Sequence, residues 1–183
     1  MVSLSALWLP ILLSAVAVFV ISAVIHMMLP WHKADQRKLP DEDGVLAALR
    51  GLDLAPADYV APFAENTEQT GSEEYKAKVA QGPQIFLTVF RGASLGPMLV
   101  KWFVFTVIVG VFAAYVTGIA LGPGANYMDV LRLTSTVTFV GYSMALWIGH
   151  IWYYRDLGAT VRSTVDGLVY ALLTGGIFAS LWP

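Results

Sequence analysis

The hydrophobic positions fall into four long runs divided by polar stretches of very unequal length. Residues 5–29 hold no charged side chain, and a helix needs about 20 such residues to cross roughly 30 Å of hydrocarbon. Residues 98–121, 131–153 and 165–182 are the other runs, interrupted near their ends by Lys101, Arg132 and Asp166, where a charge still reaches the headgroups. Pro10 lies in the first turns of the first run, where a missing donor costs little, and Pro30 stops it. A cleaved signal peptide is the competing reading of residues 5–29, but it wants a Lys or Arg before the apolar run and none is present. The pattern predicts an all-α integral membrane protein, a bundle of four transmembrane helices. Residues 1–30 carry the first span, 31–96 a loop, and 97–183 the other three.

The loop has its own pattern. Asp41, Glu42 and Asp43 follow Pro40 and precede VLAALRGL, loading carboxylates at the start of a short helix over 41–50 that Gly51 ends. Residues 62–72 are polar and turn-rich, and Thr70 with Glu73 has the spacing of a capping box for a second short helix, 72–80, ended by Gly82 and Pro83. Residues 84–90 (QIFLTVF) are apolar but too short to span, and are expected to lie against the membrane face or the bundle.

Composition sharpens the class. With 57% hydrophobic and 13% charged residues, against about a quarter charged in an ordinary soluble domain, lipid must be part of the solvent. The net charge of -2 gives no field that would hold a polyanion, which excludes nucleic acid as a partner. No cysteine is present, so thiolate catalysis, iron–sulfur ligation and cysteine–zinc sites are excluded.

Orientation follows from the basic residues. Lys33, Arg37, Lys38, Arg50, Lys76, Lys78, Arg91, Lys101, Arg155 and Arg162 share one side, ten of eleven, and only Arg132 lies on the other. Both termini are therefore expected outside, with 31–96 in the cytoplasm. Trp8 and Trp182 belong at the outer interface and Trp31, Trp102 and Trp152 at the inner one, where an indole keeps its ring in lipid and its N–H wet.

Two patterns are candidates for function. Small residues recur every fourth position as Gly110, Ala114 and Gly118, as Gly141, Ala145 and Gly149, and as Gly167, Ala171, Gly175 and Ala179. Such stripes let helix backbones approach closely in lipid, either within the bundle or against another subunit. The second pattern is a polar cluster at the inner interface, His26, Lys101, His150 and Asp166, which reads as a proton relay, an ion site, or simply helix-end anchors. Asp166 also stands four residues after Arg162 on one helical face, the spacing of a surface ion pair, and Asp129 and Arg132 have similar spacing.

Little chemistry is legible. His150 is a weak cofactor candidate, a lone imidazole without a second ligand for a tetrapyrrole metal. In HMMLPWHKAD, His26, His32 and Asp35 lack a further ligand at helical spacing because Pro30 intervenes, so no metal site is expected. No phosphate-binding glycine loop, nucleophile elbow or HExxH occurs. No catalytic residue and no resident cofactor are expected, whereas bound lipids are.

The stretches HMMLPWHKADQRKLPDEDGVLAALR (26–50), GPGANYMDVLR (122–132), SMALWIGHIWYYRDL (143–157) and TVDGLVYALLTGGIFASLWP (164–183) resemble a family of uncharacterised bacterial inner-membrane proteins with four spans. The resemblance implies a bacterial inner-membrane location and carries over no activity. Family members usually have a small polar residue where His150 stands, which weakens a shared ligand role there. The expectation is a non-catalytic accessory subunit of a larger membrane complex, respiratory or photosynthetic. A small oligomeric transporter or channel is the rival, and a lipid-headgroup enzyme stands third.

Overall fold

A computed structural model describes residues 1–92 and 94–183. The first apolar run opens as a 3-10 turn, Leu4–Leu7, continues as helix α1 (Trp8–Ala23), and widens into a π turn, Val24–Met28. Pro30, with no N–H to offer a continuing helix, then starts a 3-10 turn, Pro30–His32.

Among the described residues three helices are long and apolar enough to cross a membrane: Leu4–Met28, Leu95–Ala120 and Leu157–Ser180. The run at 131–153, expected as one span, is instead two helices, Tyr127–Phe139 and Leu146–Tyr153, joined by a π turn, Val140–Met144. The interruption has a local cause. The Thr136 and Thr138 hydroxyls donate to the Arg132 and Thr134 carbonyls at 2.8 Å, a back-bonding that bends helices, and Gly141 adds backbone freedom.

The chain divides into two units. One is Lys38–Ser94. In it Asp41 caps helix α2 (Glu42–Gly51), strand β1 follows at Ala57–Ala61, then α3 (Thr67–Thr70), α4 (Glu73–Gln81) and β2 (Ile85–Val89). The two strands pair antiparallel, Ala57 opposite Val89 and Ala61 opposite Ile85. An all-α fold is therefore corrected by one small sheet. Residues 84–90 are rich in β-branched and aromatic side chains, which suit a strand, and their partner lies too far along the chain for local spacing to show. Thr70 is not a cap either: it ends α3, and the Ser72 hydroxyl accepts from the Tyr75 N–H to begin α4.

The other unit is Met1–Arg37 with Leu95–Pro183. It holds α1, α5 (Leu95–Ala120), α6 (Tyr127–Phe139), α7 (Leu146–Tyr153) and α8 (Leu157–Ser180). Helix α1 lies against α5 and α8, and α6 lies against α8 and α5, which closes a ring of four. Leu7, Ile11, Ala114, Val130 and Phe178 pack one half of the core, and Val18, Ile25, Val109, Tyr142 and Tyr170 the other. Outward faces carry Trp8, Val100, Phe112, Ile151 and Leu172 in the open. An apolar surface of that extent is stable against lipid rather than water.

Two small-residue stripes seat the helices. Gly110, Ala114 and Gly118 are buried, and a side chain at Gly110 would meet Ile11 of α1. Gly167, Ala171 and Gly175 are buried as well, with Ala179 partly so, and side chains at Gly167 and Gly175 would run into the Ser143 and Ser135 hydroxyls. The third stripe is different: Gly141 and Ala145 are exposed and Gly149 half-buried.

Candidate functional site at one end of the bundle

Ser22, His26, Trp31, His32 and Asp35 come from the end of α1 and the turns after it, while Arg162 and Asp166 come from the first half of α8. The π turn places His26 so that Nδ1 lies 3.0 Å from the Ser22 carbonyl. A carbonyl only accepts, so Nδ1 carries the proton and Nε2 is left with its lone pair. The Ser22 hydroxyl donates to the Phe19 carbonyl at 2.8 Å and accepts from the Trp102 indole at 2.9 Å, which ties α5 to the same turn.

Asp166 is the centre of the group. It is 5% exposed, and both carboxylate oxygens are taken: Trp31 Nε1 donates to Oδ1 at 3.1 Å, and His32 Nε2 lies 2.7 Å from Oδ2. The other ring nitrogen of His32 lies 2.5 Å from Asp35 Oδ2, and Arg162 reaches Asp35 Oδ1 through Nε at 2.6 Å and Nη2 at 2.5 Å. Asp156 stands 3.8 Å beyond the same guanidinium.

His32 thus has a carboxylate at each ring nitrogen, and only the imidazolium can donate to both. Two anions, Asp35 and Asp166, then balance two cations, His32 and Arg162. Such balance is what partial burial of four charges requires. Burial alone would raise the Asp35 pKa, but the hydrogen bonds from His32 and Arg162 and the charge on Arg162 outweigh it and hold the group below 3.8.

His26 stacks flat on His32, with ring centroids 4.2 Å apart and planes 10° from parallel. Beside this pair opens a cavity of about 480 Å³. Phe19, Trp102, Phe105, Tyr142 and Tyr170 supply its aromatic wall, and His26 and Asp166 its polar groups. Tyr142 and Tyr170 meet edge to face at 5.5 Å, and Trp102 lies 6.1 Å from Tyr170. The Tyr170 hydroxyl is buried and has no hydrogen-bond partner. A groove of about 600 Å³ lined by Leu13, Val16, Tyr127 and Leu172 is larger, but it holds no carboxylate, imidazole or ammonium group and carries no comparable chemistry.

Of the four polar residues expected together, the structure joins only His26 and Asp166. Lys101 is exposed and has no ion pair among the described residues. His150 Nδ1 donates to the Arg155 carbonyl at 2.8 Å and its ring stands edge-on to Trp147. The expected Arg162–Asp166 pair does not form, because Arg162 turns to Asp35 and leaves Asp166 to His32 and Trp31. Nor do Asp129 and Arg132 pair; Asp129 accepts instead from Asn126, the N-cap of α6.

His32, short of a further ligand within its own stretch of sequence, finds Asp166, 134 residues further on. Tyr142 and Tyr170 of the cavity wall carry one sequence signal, a phenol inside an apolar run. The class is clear from these observations: an integral membrane protein with a charged, partly buried cluster beside an aromatic cavity. No protein-family model, curated protein or solved structure matches the chain.

Proposed function

We propose that the chain is a four-span bacterial inner-membrane protein, with both termini periplasmic and segment 31–96 cytoplasmic, that serves as a non-catalytic subunit holding an amphipathic membrane-soluble molecule. The cavity carries this reading: an aromatic wall with His26 and Asp166 at its polar side is suited to an apolar body with one polar head. The fourth span is α6, the π turn and α7 taken together, since residues 131–153 are apolar apart from Arg132. Orientation rests on the ten basic residues of one side, which puts the cavity at the cytoplasmic interface. Its occupant is a lipid or an isoprenoid-tailed carrier, and its host a larger membrane assembly, respiratory or photosynthetic.

Transport is the weaker alternative. Asp166 is the sole buried charged side chain among the described residues, and both its oxygens are engaged by Trp31 and His32 from the turns after α1, whereas a translocation path lines itself with several charges. The test is extraction in mild detergent followed by native mass spectrometry of the wild type and of Ala145→Trp, whose indole would fill the cavity. A bound molecule retained by the wild type and lost from the variant is the expected result. Equal retention would remove the cavity from consideration.

A further inference from the structure

We infer that His26, His32 and Asp166 form a binding site for one divalent first-row transition metal ion. Their ligand atoms all lie within 4.8 Å of one another. Ions of this kind sit about 2.0–2.2 Å from imidazole nitrogen and carboxylate oxygen, so adjacent ligand atoms end about 3 Å apart. His32 Nε2 and Asp166 Oδ2 are already at 2.7 Å. His26 completes the set by turning its ring out of the stack on His32; the ring is carried on the π turn Val24–Met28, and π turns are frequent at functional sites.

The surroundings are those of a ligand set. A metal-bound histidine holds its second nitrogen on a carbonyl or a carboxylate, which fixes the tautomer and aims the free nitrogen at the ion. His26 does so with the Ser22 carbonyl at 3.0 Å and His32 with Asp35 at 2.5 Å. Asp35 is held in turn by Arg162, and Trp31 steadies the far oxygen of Asp166 at 3.1 Å. The ion would take the place of the proton between His32 and Asp166. Two imidazoles and one carboxylate leave further coordination positions open, the pattern that suits iron(II) and its neighbours. His26 and Asp166 both line the aromatic cavity, so an open position meets whatever polar head lies there. Sequence spacing missed the site because the carboxylate is 134 residues from His32.

The experiment uses the full chain in detergent, stripped with a chelator and titrated with Co²⁺, followed by visible absorption and by metal analysis after desalting. The wild type should bind one equivalent with a saturating d–d band, and Fe²⁺, Mn²⁺ or Zn²⁺ should displace it. His26→Gln should abolish saturation, Asp35→Asn should weaken binding about 10–100-fold through its support of His32, and His150→Gln, remote from the cluster, should change nothing. A wild type without a saturable equivalent would overturn the site and leave a hydrogen-bonded clasp. So would equal binding by wild type and by a monodisperse His26→Gln protein, or loss of binding in His150→Gln alone.

Discussion

His32 and Asp166 lie 134 residues apart in the chain and meet at 2.7 Å, joining the turn that follows α1 to α8. The pair is held from both sides, by Asp35 on the imidazole and by Trp31 on the carboxylate. Its loss leaves a cation facing a place from which water is largely excluded.

Asp166→Ala should therefore be costly. Removing one partner of a buried pair destabilises by about 3–5 kcal/mol, and thermal denaturation in detergent should show a loss of that size. Adding His32→Ala should cost less than the sum of the single changes, because the stranded cation is then gone. Additive losses would mean that the two side chains are energetically independent.

The glycines on α8 offer a steric test. A branched side chain at Gly175 collides with the Ser135 hydroxyl and with the Leu131 backbone carbonyl, and backbone cannot yield cheaply. Gly175→Ile should impair folding or assembly on native gels. Leu172→Ile, on the exposed face of the same helix, conserves volume and should cost less than about 1.5 kcal/mol. Gly149→Ala, which meets only the Arg155 side chain at 3.4 Å, should also be tolerated.

Tyr170→Phe separates stability from binding. The hydroxyl is buried without a partner, and deleting such a group is neutral or stabilising by about 1 kcal/mol. Delipidated protein should thus melt no lower than the wild type, and occupancy of the cavity, read by native mass spectrometry, should be unchanged, because the hydroxyl presents almost no accessible surface to it. An earlier melting transition or a fall in occupancy would run against a hydroxyl sealed inside the bundle without a partner.

Topology can be read with reporters fused after Ala125 and after Gly71. The bias of basic residues predicts a periplasmic signal at Ala125 and a cytoplasmic one at Gly71. The reverse pattern would invert the proposed orientation.

What the sequence by itself determined is what depends on near neighbours. Hydropathy is summed over adjacent residues, so three of the apolar runs emerge as the helices Leu4–Met28, Leu95–Ala120 and Leu157–Ser180. Capping is equally local, and Asp41 begins α2 where its carboxylate meets the Gly44 N–H. Small residues at every fourth position mark which face of α5 and α8 admits a neighbour, because a helix repeats on that spacing.

Tertiary structure decided which candidates meet. Helical spacing put Arg162 and Asp166 within reach of each other, yet a side chain with several rotamers takes the partner that best offsets its desolvation, and that partner came from the turn after α1. The β1–β2 pairing was hidden for the same reason, since Ala57 and Val89 become neighbours only when the chain between them folds back. His32 shows the limit most clearly. Beside Pro30 it is a histidine short of ligands, and it bridges the two carboxylates of a four-charge cluster because α8 brings Asp166 to the turns where the chain leaves α1.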